Sequence, residues 1–320
     1  MDVTTEPRTM SALVCAYTMS RWVQLIAAVR SLEAQEMPLE QIIVVIDHND
    51  ELLAAARAEF HPHRVVPNTG PRGLSGARNT GLALVTADVL GFLDDDAVAA
   101  PDWSREHLRH YAPGVIGTGG HVVPRWTGTP PRWFPEEFRW VLGCSYEGLP
   151  TTSEPIRNAI GANMTFRRDV FDRVGPFVHG IGRTGRDVMG CEETELSIRA
   201  RRAFPSSEIV YVPSAVVEHE VPGDRQRVAY FLRRCYGEGR SKRLVAGMVG
   251  TGPALRSERA YATRTLPRGL ARNGRAVLVG RSDGATRALA IVGGVAAAAA
   301  GFSREVVRER SLLRLDPSGV

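Results

Sequence analysis

Four short apolar runs alternate with helical patterns before the chain reaches Phe92-Leu93-Asp94-Asp95-Asp96, and this alternation constrains the fold more than any other feature. Ala12–Ala16, Gln41–Ile46, Arg64–Pro67 and Val89–Leu93 read as strands. Trp22–Leu32 places Trp22, Leu25, Ile26, Val29 and Leu32 at helical spacing, and Glu51–Phe60 and Gly76–Val85 continue the helical segments. Such an order predicts an α/β fold: a Rossmann-like, mostly parallel central sheet with helices on both faces. Runs that are continuously apolar, rather than alternating, fit strands buried on both sides. In open sheets of this kind ligands bind beyond the carboxyl ends of the strands. The residues that follow each run are therefore the candidates for chemistry.

The middle of the chain has a different texture. Gly114–Arg168 is rich in Gly, Pro and aromatic residues and has no clear period. It reads as a strand around Val115–Val123, a mobile loop with a short amphipathic helix, and a strand around Ala162–Phe166. Cys191–Ala203 looks helical, Ile209–Val212 and Ala215–Val217 strand-like, and Arg225–Val245 helical again. The expected organisation is a flexible N-terminus over 1–9, one domain over 10–245, and an Arg-rich, mainly helical extension over 246–320. A hydrophobic fraction of 43% is that of a globular chain.

Compartment and partners are bounded by simple counts. Cys15, Cys144, Cys191 and Cys235 are far apart and unpaired in sequence, so neither a disulfide framework nor a zinc site is expected. A reducing cytoplasm fits, and the polar opening segment does not read as a signal peptide. Ala288–Phe302 is apolar but shorter than the roughly 20 residues a spanning helix needs. A packed or interfacial helix is expected there. The net charge of +5 hides an asymmetry: residues 1–224 carry 21 Arg/Lys against 29 Asp/Glu, and residues 225–320 carry 19 against 6. Such a tail suits an anionic surface, and peripheral contact with the inner face of a membrane is the expectation. No nucleic-acid motif or aromatic interleaving accompanies the arginines, so nucleic acid is not expected as a partner.

Several constellations carry chemistry. Asp94, Asp95 and Asp96 follow a buried strand and would repel one another without a positive partner. A hard divalent cation, Mg²⁺ or Mn²⁺, resolves that repulsion. Asp47 ends the second strand and belongs on the same sheet edge. Gly73–Gly81 lies between them, with Arg78 and Asn79 as donors on a Gly-rich stretch that is neither a Walker loop nor a Rossmann fingerprint. Glu192 and Glu193 open a later helix, where the dipole favours carboxylates and a general base can sit. His219 stands between two acids at the end of a strand-like run and is a candidate metal ligand. Each has a plainer alternative: a solvated acidic turn, a helix cap, a flexible loop or a structural histidine.

Taken in order, these pieces resemble the family-2 inverting glycosyltransferases with the GT-A fold. The resemblance rests on the strand into Ala16-Tyr17, Ser31-Leu32 with Gln35, Ile43–Asp47, Ala77–Gly81 and Phe92–Asp96. Gly161-Ala162-Asn163-Met164 with Phe166–Arg168, Gly175 and Phe177 follows, then Gly190, Glu192-Glu193, Leu196 and Arg199. It covers roughly residues 10–245. It implies transfer of a sugar from a nucleotide-diphosphate sugar to an acceptor hydroxyl, with inversion and a divalent metal. Asp47, Arg78 and Asn79 would contact the nucleotide, near Ala16 and Tyr17. Asp94 and Asp96 form the D-x-D motif: Asp96 would hold the metal, and Asp94 or Asp95 the ribose or sugar. Glu193 falls at the family's catalytic acid, with Glu192 beside it, and His219 matches a metal-binding histidine found in part of the family. Two departures stand out: Asp47-His48-Asn49-Asp50 replaces an Asp-Gly-Ser stretch, and Glu192-Glu193 replaces a Glu-Asp pair.

The acceptor, whether glycan, lipid-linked or small molecule, is expected near Gly161 and Asn163 and against the aromatic loop of Trp133 and Trp140, since sugars pack on aromatic faces. A sugar-1-phosphate nucleotidyltransferase would share the architecture. It would need a Gly-rich, Arg-containing loop after the first strand, where this chain has Tyr17-Thr18-Met19-Ser20-Arg21. A non-catalytic sugar-nucleotide-binding protein is the third reading, against which the intact Asp triplet and Glu pair speak.

Overall fold

A computed structural model describes residues 6–181, 190–250 and 258–315, with 309–315 described as helix alone. The outermost part of the expected flexible N-terminus, residues 1–5, lies outside the described residues. The alternating half folds as β1 (Met10–Ala16), α1 (Trp22–Glu33), β2 (Gln41–Ile46), α2 (Asp50–Glu59), β3 (Arg64–Pro67), α3 (Leu74–Leu82) and β4 (Val89–Asp94). After it come β5 (Ala97–Ala99), α4 (Trp103–Leu108), β6 (Val115–Trp126), β7 (Pro155–Ile156), β8 (Asn163–Arg167), α5 (Arg168–Val174), α6 (Glu192–Ala203) and β9 (Glu208–Val221). The loop between β6 and β7 holds a 3-10 helix, Glu136–Leu142.

The strands join one mixed sheet in the order β3-β2-β1-β4-β8-β6-β9-β5, with β7 pairing β9. The first four run parallel, as the alternation predicts, while β8 enters antiparallel between β4 and β6. Strand periodicity divides the core into two. In β1 and β2, Ala12, Val14, Ile42 and Val44 face α1 and α2, while Leu13, Ile43 and Val45 face the α3, α5 and α6 side. That two-sided burial is why both strands are continuously apolar. Gly81 brings α3 close to β1, because a Cβ there would collide with Leu13.

The sheet positions the site in two ways. Strand order reverses at β1, flanked by β2 and β4, so the C-terminal ends of these strands open a crevice. Beyond Ala97 the chain turns back, and β5 pairs antiparallel with β9, setting Ala97 opposite His219. The Asp triplet and His219 are thus brought together by register. Pro213-Ser214, which breaks the apolar pattern, falls in an irregularity of the β6–β9 pairing between Gly120 and His121, so the two expected strands form one.

The C-terminal part is more ordered than its weak pattern predicts. α7 (Val228–Val249), α8 (Leu266–Leu278) and α9 (Ser282–Leu315) pack side by side, with α9 against α7 and the 3-10 helix. Alanine, the best helix former, dominates the centre of α9. Its segment Ser282–Arg308 is long and apolar enough to cross a membrane by length and composition, which the shorter run of apolar residues alone did not suggest.

Candidate active site

The carboxylates of Asp94 and Asp96 and the imidazole of His219 each offer a ligand atom, and these atoms lie within 4.8 Å of one another. His219 Nε2 is 3.0 Å from Asp96 Oδ1 and 4.0 Å from Asp94 Oδ2. Burial opposes charge on His219, but the buried Asp96 carboxylate overrides it and raises the imidazole to about 10. Burial would likewise raise Asp96; instead His219, Arg21 and Arg225 hold it far below the carboxylate range. Asp95 is pushed up to about 7 by burial and by Asp96, although Arg21 donates to it at 2.7 Å. One of its oxygens, Oδ2, is buried without a hydrogen bond. The donor set fits a divalent metal: two carboxylates and an imidazole converge, and Asp94 is the most exposed of the three.

A second cluster faces the first across Arg78. This side chain is buried, donates to Glu192 Oε1 at 2.9 Å and to the Gly161 carbonyl at 3.1 Å, and lies 3.7 Å from Asp94. Its guanidinium is flanked by the rings of Phe92 and Phe177, each 5.4 Å away. Such a stacked, forked contact set is available to arginine and not to lysine. Glu192 is thereby committed to an ion pair. Its neighbour Glu193 has no such cation partner among the described residues, and burial together with Glu192 raises it to about 8. The N-cap of α6 is Cys191 at φ 77, a left-handed backbone that a non-glycine residue adopts at a cost. His48, beside Asp47, is the other non-glycine residue of positive φ among the described residues. Both strained positions adjoin expected site residues.

Asp47 ends β2 as expected. Its carboxylate accepts from Asn68 Nδ2 at 2.6 Å and from the Gly73 N–H at 2.9 Å, and it meets His48 Nδ1 at 2.8 Å. It thus ties the Gly-rich loop to the strand end. The Ala16 carbonyl accepts from the Asp47 N–H, and the Tyr17 ring is half exposed at the crevice beside Arg21.

Other expected residues are engaged elsewhere. Asn79 donates from its amide to the Phe177 carbonyl and accepts from the Phe177 N–H, so it staples α3 to that loop, with one N–H and one lone pair left over. Asn163 is fully buried in the sheet. Its oxygen accepts from Trp103 Nε1 and His107 Nε2, and its amide nitrogen donates to the carbonyls of His121 and Ala215. All four of its hydrogen-bonding positions are filled, so none remains for an acceptor. Trp133 packs on Phe134 and Phe231, and Trp140 on Phe138 with its indole N–H to Tyr261; both belong to the cluster under the C-terminal helices. Of the acceptor-side set only Gly161 borders the site.

Two further basic side chains, not marked by the sequence, reach the acidic triplet. Arg21 reaches Asp95 and Asp96, and Arg225 reaches Asp96 at 3.3 Å. Arg21 lies in the Tyr17–Arg21 stretch after β1, where its spacing alone gives no link to the triplet. Arg225 stands six residues after His219, at the start of a predicted helix, and only the return of the chain along β9 brings it to the triplet.

The mixed sheet with its parallel β3-β2-β1-β4 half and the acidic cluster at its carboxyl edge match the glycosyltransferases of the GT-A fold. The model of the glycosyl transferase family 2 matches residues 11–175. The chain is 33% identical over 241 residues to the glucosyl-dolichyl phosphate glucuronosyltransferase of Haloferax volcanii, covering 74% of this chain and 77% of that protein. It is 28% identical over 238 residues to the succinoglycan biosynthesis protein ExoM of Rhizobium meliloti, covering 71% and 72%. The fold is shared with the mannosyltransferase PcManGT of Pyrobaculum calidifontis, solved with GDP-Man and Mn²⁺, at a TM-score of 0.60 and 19% identity over 94% of this chain and 88% of that one. The chain belongs to glycosyltransferase family 2.

Proposed function

We propose that the protein transfers a sugar, with inversion, from a nucleotide-diphosphate sugar to a hydroxyl of a lipid-linked acceptor in a divalent-metal-dependent reaction. The observation that carries this reading is the convergence of Asp94, Asp96 and His219, with Arg78 linking Asp94 to the Glu192-Glu193 helix start. Asp94, Asp96 and His219 would hold the metal, whose charge neutralises the departing diphosphate. The name of the Haloferax relative, a glucosyl-dolichyl phosphate glucuronosyltransferase, supports a lipid-linked acceptor.

The remaining chemistry belongs to the chain. Glu193 takes the proton from the acceptor hydroxyl as its oxygen bonds the anomeric carbon. The carbon–oxygen bond to the diphosphate breaks on the opposite face, and its electron pair leaves with the phosphate oxygen. A base near 8 suits a hydroxyl attack at neutral pH. Glu192 keeps Arg78 in place, and Arg21 and Arg225 keep the acidic triplet from flying apart. Asp47 and the Gly73 loop form the wall for the nucleoside. The anomeric configuration of the product tests the stereochemistry. With an α-linked donor, proton NMR of the product is expected to show a β linkage, and an α product would overturn the single displacement.

A further inference from the structure

Between Ala288 and Ser303 the helix α9 carries no charged residue, yet one of its faces meets water. A helix that is apolar on all sides is stable when all sides are covered. The inner face is covered: Gly294 seats α9 on Phe138 and Phe231, where any side chain would collide. Among the described residues, none covers the outer face. Leu289 is 71% exposed, Val292 56% and Val295 43%, and Ala296, Ala299 and Ala300 continue the stripe. At 1.5 Å per residue it runs about 20 Å along the helix. Leu232 of α7 adjoins it beside Gly293, and Leu278 and Val279 stand 87% and 75% exposed at the turn into α9.

The charge around this stripe selects what covers it. Residues 259–308 hold nine arginines against two acids, Asp283 and Glu305. Glu305 is buried against Arg240, so Asp283 is the acid left near the surface. Arg281 and Arg287 frame one end of the stripe; Arg304 and Arg308 frame the other. Two copies meeting through this face would bring like charges together. An anionic bilayer accepts both the apolar stripe and its cationic ends.

We propose that the outer face of α9, with the α8–α9 turn, docks the protein onto an anionic membrane surface, lying in the interface rather than crossing the bilayer. This surface is independent of the proposed reaction. It has a structural route to the site. The cluster beneath α9 continues from Phe138 to Leu142, and Gly143 follows against the His219 ring, which a Cβ there would approach to 3.5 Å. Docking would thus hold the Asp94-Asp96-His219 cluster close to the lipid surface.

The test is sedimentation of the full-length protein with vesicles of phosphatidylcholine alone or with 30% phosphatidylglycerol, beside a donor-hydrolysis assay in solution. Wild type is expected to sediment with the anionic vesicles, to lose this at high salt, and to be released by an alkaline wash. L289E/V292E is expected to bind at least about tenfold more weakly with unchanged melting temperature and donor hydrolysis. R304E/R308E is expected to lose roughly fivefold for each arginine on anionic vesicles only. Wild type that ignores both vesicles, variants that bind unchanged, resistance to the alkaline wash, or a dimer that L289E/V292E dissociates would each overturn the proposal. Donor hydrolysis is read separately, so its absence would challenge the enzymatic reading and leave the docking result standing.

Discussion

Arg78 Nη1 lies 2.9 Å from Glu192 Oε1, and through this pair the segment after the Gly-rich loop holds the start of the helix that carries Glu193. The pair anchors Glu192 and leaves its neighbour Glu193 as the proposed base. Glu193→Gln is expected to lower transfer by about 10²–10⁴-fold and to leave donor affinity near wild type. Glu192→Gln is expected to act on stability, since breaking a buried ion pair costs roughly 3–5 kcal/mol. Single-turnover rates, donor titration and thermal unfolding of the two variants distinguish the roles.

The pH profile follows from the same pair. Glu193 is raised to about 8 by burial and by Glu192, and a general base acts only when ionised. The rate should therefore climb about tenfold per unit as pH rises toward 8 and level off above it. A profile of kcat/KM between pH 5.5 and 9.5 checks this; a plateau reached already near pH 5 would remove Glu193 from the role.

His219 has its imidazole between Asp94 and Asp96 and its other nitrogen 3.9 Å from Cys144 Sγ. His219→Ala is expected to weaken Mn²⁺ binding by more than the 10–100-fold that loss of an outer-shell partner costs. The fold should survive, because Arg21 and Arg225 still neutralise Asp96. Calorimetric titration of Mn²⁺ without donor, with circular dichroism alongside, measures both.

Asn163 belongs to the fold and not to the acceptor. It closes a buried chain in which His107 reaches Thr118 and Thr118 reaches Thr165, and burial lowers His107 to about 4, keeping it neutral. Asn163→Leu would orphan the Trp103 and His107 donors and two carbonyls, a loss of about 3 kcal/mol or more. Gly120 shows the same crowding: a Cβ there would collide with the Ala215 carbonyl and with Asn163. Urea unfolding of Asn163→Leu should show a lower midpoint with unchanged donor KM in the remaining folded protein.

What could be read in advance, and what could not, has a physical pattern. β2 was legible to the residue because both of its faces are buried, and β3, an edge strand with one buried residue, because Pro62 and Pro67 bracket its Val65-Val66 pair. The Asp triplet was legible because a charge run at a strand end has few structural uses. Asn163 was misplaced because it lies one residue from Gly161–Ala162, and sequence does not say which side of a strand end faces the crevice. Trp133 and Trp140 suggest a sugar platform in the sequence because the residues that pack against them, Phe231 and Tyr261, lie far along the chain. β5 and α4 escaped notice because three residues before Pro101 carry too little pattern, although β5 sets the register of His219.

Release of nucleoside diphosphate from a panel of nucleotide sugars, with Mn²⁺ and with chelator, tests the central claim most directly. One donor is expected to turn over with Mn²⁺, to stop when chelator is added, and to fall by at least about 10²-fold in Asp96→Asn. Full turnover in the presence of chelator, or pyrophosphate as the released product, would contradict the account.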